Sequence, residues 1–442
     1  MALITLPASL TRIMQQVHLP LIDTFRALRG VTPQDIGLLL KSITAKRRPK
    51  RVPPINSDFF EILAELSPEE REIQQKIRAY MEEKIRPIAG SYWERGEFPH
   101  EIVPGFARLI AETFGTRPYA IDALGPVLTG IACMELARVD PSIYTFFGVH
   151  WGLCMGSIDL FGSPEQKQRW LPPMQRFELI GSWALTEPEV GSATAAGLTT
   201  TARFERGSWV INGAKKWSGN APIADINIIW ARDVSNNQVQ GFIVERDTPG
   251  YEVERLEGKI ALRTVQNANI RLNNCRVPEA NRLPNVGGFR GIARQLAITR
   301  AAVAWAMTGV AMGAYEKALA YAQQRIQFGR PIGGFQLVQN SLVQMLANVT
   351  AMQTLCLRMS QIAARNGKIS HEHASLAKVF CGEKMRETVA LARAVFGGNG
   401  ILLEHEVARY FADAEALYSY EGTHEMNTLI VGRAITGMSA FV

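Results

Sequence analysis

The 442-residue sequence predicts an α+β protein with an N-terminal α-helical domain, a middle antiparallel β domain and a C-terminal four-helix bundle. Three observations lead there. Apolar residues follow helical spacing from Leu66-Ser67-Pro68-Glu69-Glu70 to about Leu171-Pro172-Pro173. Short β-rich runs between turn residues then occupy about 180 to 285. Long helical segments joined by short Gly-rich loops fill the remainder. No strand leads into GxGxxG or GxxxxGK[ST], so a nucleotide cofactor would be held by other means.

Each element has a local cause. Ser67 is suited to cap a helix whose first residue is Pro68. Trp209-Val210-Ile211, Asn227–Trp230, Phe242-Ile243-Val244, Tyr251-Glu252-Val253 and Ile270-Arg271-Leu272 read as short strands, with Asn212-Gly213 as a hairpin turn. Gln295 to Arg325 is Ala-rich, with small residues spaced for close helix packing. Leu337 to Ala364, Ala374 to Val395 and Met426 to Met438 supply three more helices. The expected domains are residues 57–178, 179–286 and 287–442, preceded by a basic extension at 1–56.

That extension carries nine basic and two acidic residues, a net charge of +7, which equals the net charge of the whole chain. The rest is balanced, so the high charge does not describe a nucleic-acid-binding core. The extension reads equally as an organelle transit peptide or as a solvated arm. No run of 18 uninterrupted apolar residues suggests a membrane span. The five cysteines form no CxxC pair, which fits reduced thiols. His371 and His373 lie two apart and do not share a helix face, so no metal site is expected.

Four segments together resemble the acyl-CoA dehydrogenase and acyl-CoA oxidase family over roughly residues 57–442. They are Ala184-Leu185-Thr186-Glu187-Pro188 with Gly191-Ser192; Lys216-Trp217-Ser218-Gly219-Asn220; Arg325-Ile326-Gln327-Phe328-Gly329; and Gly397-Gly398-Asn399-Gly400 with Tyr420-Glu421-Gly422-Thr423. The resemblance implies FAD as cofactor and an acyl-CoA thioester as substrate. It places Leu185, Thr186, Gly191, Ser192, Trp217 and Gly219 around the flavin. Arg325, Phe328 and Gln336 would hold the ADP half, with Gly397 and Gly398 reaching across a dimer, and Thr423 and Glu425 also beside the cofactor. Glu421 becomes the base that takes the α-proton. Arg300, Tyr420, Gly422, Ser192, Tyr144 and Phe147 are expected at the substrate. A desolvated carboxylate gains basicity, which suits a weakly acidic thioester α-proton.

The subgroups most resembled are the plant-type short-chain peroxisomal acyl-CoA oxidases and the glutaryl-CoA dehydrogenases. Tyr144 falls where the latter place a carboxylate-binding Arg, so an aliphatic short- or medium-chain acyl group is expected. Ala193 replaces the Asp of the family's GSD, and Gly219 replaces a hydroxyl residue beside flavin N5, which would open a path for oxygen. Electrons would pass to an electron-transfer flavoprotein or, alternatively, to oxygen. A further alternative is a non-catalytic family member with an assembly role. The resemblance implies a homodimer or homotetramer. Its location would be the mitochondrial or peroxisomal matrix in a eukaryote and the cytoplasm in a prokaryote.

Overall fold

Helices from Pro68 to Gln175 precede a seven-stranded sheet, and a second helical region follows it from Phe289 to Thr436. The computed structural model describes residues 56–440 except Thr116 and Ala193. The basic extension up to residue 55 and the Ala193 departure therefore lie outside the described residues.

The first helix, Pro68–Tyr80, starts as its sequence dictates. Ser67 Oγ accepts from the Glu70 N–H, and the Glu70 carboxylate accepts from the Ser67 N–H. This reciprocal pair satisfies two otherwise orphaned donors. The sheet runs β1–β4–β2–β3–β7–β6, with β5 on the other side of β4. Its ranges are β1 Gly181–Ala184, β2 Thr201–Glu205, β3 Ser208–Gly219, β4 Ile226–Asp233, β5 Val239–Glu245, β6 Tyr251–Arg255 and β7 Asn267–Pro278. Pairing is antiparallel along β2–β3–β7–β6 and β4–β5, while β4 runs parallel to β1 and β2.

Asn212-Gly213 corrects one expectation. It is not a hairpin turn but a register shift inside continuous β3. Gly213 has φ +147°, and a Cβ there would lie 2.6 Å from the Thr200 hydroxyl, so the backbone of a neighbouring strand sets this glycine. The β2–β3 turn falls instead at Arg206-Gly207, both at positive φ.

The long helix Phe289–Gln324 forms the axis of the second helical region. It is apolar and long enough to cross a membrane, but 78% of its apolar window is buried inside the protein. Gly309 and Gly313 let it approach the Gly125–Val139 helix, because a Cβ at either position would meet that helix's backbone carbonyls at 2.2 Å. Gln336–Asn366 and His371–Val395 pack alongside, and His424–Thr436 closes the chain. The Val407–Ser419 helix adds an element that the sequence patterns did not single out.

All three regions meet at Asp413. Its Oδ1 accepts from Trp93 Nε1 at 2.8 Å and from the Leu262 N–H at 2.6 Å, joining first helices, sheet loop and bundle. One turn earlier, buried Arg409 donates to buried Asp140 at 2.6 Å.

Candidate functional site

Beyond β1, the chain from Leu185 to Glu187 is pinned by a buried ion pair. Lys215 Nζ donates to Glu187 Oε1 at 2.9 Å and to the Leu185 carbonyl at 3.1 Å. The Thr199 and Thr200 amides also donate to Glu187. Burial raises the Glu187 carboxyl, but Lys215 and these donors outweigh it and hold it at about 2. Burial draws Lys215 down to about 8 against the same partner. Such a pair adds little net stability, but it fixes one loop geometry. The Lys216 N–H donates to the Thr186 carbonyl at 2.9 Å, so β3 carries the loop beside it. Trp217 follows at φ +62° with 55% of its surface exposed, and among the described residues no other ring packs against it.

The second wall comes from the bundle. Tyr420, Glu421 and Gly422 connect Val407–Ser419 to His424–Thr436, and Thr423 caps the latter helix by accepting from the Met426 N–H at 3.3 Å. Glu421 sits at φ +55° and Gly422 at +84°, an unusual pair that turns the Glu421 carboxylate away from both helix axes. Thr299 Oγ1 donates to Glu421 Oε2 at 2.8 Å, and Arg300 Nε donates to the Glu421 carbonyl at 3.1 Å. Burial raises the Glu421 carboxyl above its usual range; the Thr299 bond and the Arg300 and Lys378 cations only partly counter it. A carboxylate with raised basicity, facing a cavity, is equipped to accept a proton.

Both walls border one cavity of about 1860 Å³, lined by Leu185, Thr186, Gly191, Ser192, Trp217 and Gly219 on one side and by Thr299, Arg300 and Tyr420–Thr423 on the other. This exceeds the roughly 300–1,000 Å³ typical of a single small-ligand site. One end is aromatic: Phe147 stacks on Trp151 at 5.4 Å, Phe114 lies 5.0 Å from Trp151, and buried Tyr144 completes the wall.

The comparisons with known proteins agree with this geometry. The acyl-CoA dehydrogenase N-terminal, middle and C-terminal domain families match residues 67–178, 182–275 and 287–436. An acyl-CoA dehydrogenase of Bacillus subtilis (strain 168) is 30% identical over 375 residues, covering 83% of this chain and 97% of its own length. The chain belongs to the acyl-CoA dehydrogenase family. Among solved structures, a glutaryl-CoA dehydrogenase from Mycobacterium smegmatis is similar with TM-score 0.83 and 35% identity, covering 88% of this chain and all of that one. A second, in complex with FADH2, has TM-score 0.82 and 31% identity over 87% of this chain and 98% of its own. These relatives are dehydrogenases; the likeness to the oxidases rests on the sequence segments alone.

As an acyl-CoA dehydrogenase, the chain is a flavin-dependent oxidoreductase that uses FAD and acts on acyl-CoA. The residues present fit that cofactor. The half-exposed indole of Trp217, with Lys216 Nζ 5.8 Å from its ring centre, lines the cavity together with Gly191, where a Cβ would meet nothing within 4 Å. A flat ring system can lie on such a surface without displacing any packed side chain.

The cavity brings together Leu185, Thr186, Gly191, Ser192, Trp217, Gly219, Tyr144, Phe147, Arg300, Tyr420, Glu421, Gly422 and Thr423. Arg325, Phe328, Gln336, Gly397, Gly398 and Glu425 do not line it. Arg325 caps the far end of the long helix, Phe328 is 92% exposed on the adjoining hairpin, and Gln336 opens the next helix. The Gly397–Ile401 turn lies beside them, joined through the Asn399 amide to Tyr321 Oη at 3.0 Å. Glu425 is exposed in the first turn of the last helix. At Gly219, which lines the cavity, a Cβ would stand 3.0 Å from Val149 Cγ2, a residue of the same lining. Sequence reading assigned no role to Val149, Thr299 or Lys378. No motif marks them, since helix packing alone brings them to the site.

Proposed function

We propose that this acyl-CoA dehydrogenase desaturates short- or medium-chain aliphatic acyl-CoA thioesters between the α and β carbons, with Glu421 as the base. The carrying observation is the Glu421 carboxylate: it is held by Thr299 on one oxygen, raised by burial, and lines the same cavity as Trp217 and Tyr144. FAD, when bound, supplies the acceptor for the hydride that leaves the β-carbon. Leu185, Thr186, Gly191, Ser192, Trp217 and Gly219 would hold its ring, with Thr423 in the lining of the same cavity.

Glu421 takes the α-proton, and the low polarity around it makes the neutral acid its favoured product. Arg300 fixes the base through its backbone rather than pairing with its carboxylate, which leaves the carboxylate free to react. Tyr144 and Phe147 exclude water from the acyl group. A second carboxylate on the substrate, as in glutaryl-CoA, would need a cation where this chain has Tyr144 and an aromatic wall.

Arg325, Phe328, Gln336, Gly397 and Gly398 cluster at the bundle's exposed end, away from the cavity. This supports a homodimer or homotetramer in which they serve the cofactor's ADP half in a neighbouring copy. Electron-transfer flavoprotein is the acceptor this reading favours, because Val149 fills the room that Gly219 leaves for oxygen. The test is Glu421→Gln. FAD should remain bound, while reduction by butyryl- or octanoyl-CoA falls by roughly 10²–10⁴-fold or more. A near-normal reduction rate refutes the assignment of the base, and preference of the unmodified enzyme for glutaryl-CoA refutes the substrate class.

A further inference from the structure

Lys378 is buried in the middle of the His371–Val395 helix with 2% of its surface exposed. Its side chain forms no ion pair within salt-bridge distance among the described residues. Instead, Nζ donates to the Gly422 carbonyl at 2.9 Å and to the Tyr418 carbonyl at 3.2 Å. These two carbonyls bracket Glu421. Tyr418 lies in the last turn of the Val407–Ser419 helix, where carbonyls have no partner within the helix. A buried ammonium there also meets the negative end of the helix dipole. One turn along the same face, Gly382 lets the Tyr418 ring pack close: a Cβ at 382 would lie 3.2 Å from that ring. His424, the first residue of the next helix, stacks on Tyr418 at 4.9 Å.

We propose that Lys378 is a positioning residue for the base, clamping the Tyr418 and Gly422 carbonyls that bracket Glu421 and placing a buried cation beside that turn. This rests on the reading of Glu421 as the base. Arg300 secures the Glu421 carbonyl from the long helix, and Lys378 secures the flanking carbonyls from the opposite helix, so the strained turn is gripped from two sides. The charged and titratable groups around the turn include Arg300, Lys378, His371, Arg433, Glu425, Tyr144 and Tyr420, and His424 with its partner Glu383 at 3.4 Å. Burial draws Lys378 down to about 8, with the Glu421 carboxylate acting in the other direction. The cation is thus present near neutrality and fades in mildly alkaline solution.

The experiment compares Lys378→Met, Lys378→Gln and Lys378→Arg in the FAD-loaded enzyme, with flavin reduction by butyryl-CoA followed from pH 5.5 to 9. Removing a nearby cation raises a carboxyl pKa, so the rising limb should move up by about 1 unit in the Met and Gln variants. The maximal rate should fall while KM stays near its original value. Lys378→Arg should restore the limb, because charge and donors remain. Gly422 keeps the Asn427 amide as donor at 2.9 Å in every variant, which favours a folded loop. Should the Met variant fail to fold, Lys378→Gln carries the test, since it retains N–H donors without charge. A folded, FAD-saturated neutral variant whose limb coincides with that of the unmodified enzyme overturns the proposal. Glu421→Gln, measured alongside, separates the two readings. If it is inactive while Lys378 variants show no shift, only the clamp fails; if it reduces flavin normally, the base assignment fails and the clamp with it.

Discussion

Thr299→Val removes one hydroxyl from the base and leaves the side-chain shape almost unchanged. Thr299 Oγ1 lies 2.8 Å from Glu421 Oε2, whereas its alternative acceptors, the Gln295 and Leu296 carbonyls, are 3.4 Å away. The proton therefore goes to the carboxylate. A hydrogen bond to a charged group contributes about 1.5–3 kcal/mol. At about 1.36 kcal/mol per pH unit, its loss should raise the Glu421 carboxyl by roughly 1–2 units. The direction is fixed because burial already raises this group and Thr299 opposes that rise. In stopped-flow reduction by acyl-CoA, the rising limb should move to higher pH by that amount, and Thr299→Ser should leave it near its original place. Stability gives an independent readout. A carboxyl raised on folding contributes stability that is fully present below its unfolded pKa and is lost as pH rises through its folded pKa. The variant loses more with the ionised than with the protonated carboxyl, so its melting-temperature deficit should grow as pH rises. An unmoved limb with a deficit independent of pH would refute the reasoning.

Gly219→Thr forces a side chain against Val149 Cγ2, 3.0 Å from the new Cβ, and should destabilise the protein by about 1–3 kcal/mol. Adding Val149→Ala should recover most of that in thermal melts, and failure to recover would mean Val149 is not the obstacle. Arg325→Ala changes an exposed position at a helix end, so apoprotein stability should shift by no more than about 0.5 kcal/mol. FAD affinity, measured by titrating apoprotein, should nevertheless fall; unchanged affinity would remove Arg325 from the cofactor site.

The sequence makes the architecture legible because its signals are local. Ser67 and Glu70 cap a helix from within four consecutive residues, and the strands around Ile228 and Ile243 are short apolar runs. Asn212-Gly213 misleads for the converse reason: a turn and a bulge need the same backbone freedom, and only the strand beyond Thr200 decides between them. Within the site, Glu421, Trp217 and the Leu185-Thr186 segment lie in continuous motifs. Thr299 reaches Glu421 across 122 residues, and Lys378 reaches Gly422 across 44. Neither stands in a pattern, since each is an ordinary polar residue on a helix whose role is set by what packs opposite.

The base must satisfy two opposed requirements. Desolvation makes Glu421 more basic, but desolvation alone would also favour its protonated, idle form. The donors that offset burial divide the work: Thr299 reaches one carboxylate oxygen, Arg300 the Glu421 carbonyl, and Lys378 the Tyr418 and Gly422 carbonyls. Tyr144 and Phe147, which line the same cavity, add apolar surface. Because only the Thr299 bond touches the carboxylate directly, polarity can be supplied without occupying both reactive oxygens. The φ values of +55° at Glu421 and +84° at Gly422 follow from this arrangement. Residues with positive φ persist where the surroundings hold them, and here Arg300 at the Glu421 carbonyl and Lys378 at the Tyr418 and Gly422 carbonyls hold a turn whose Glu421 lines the cavity.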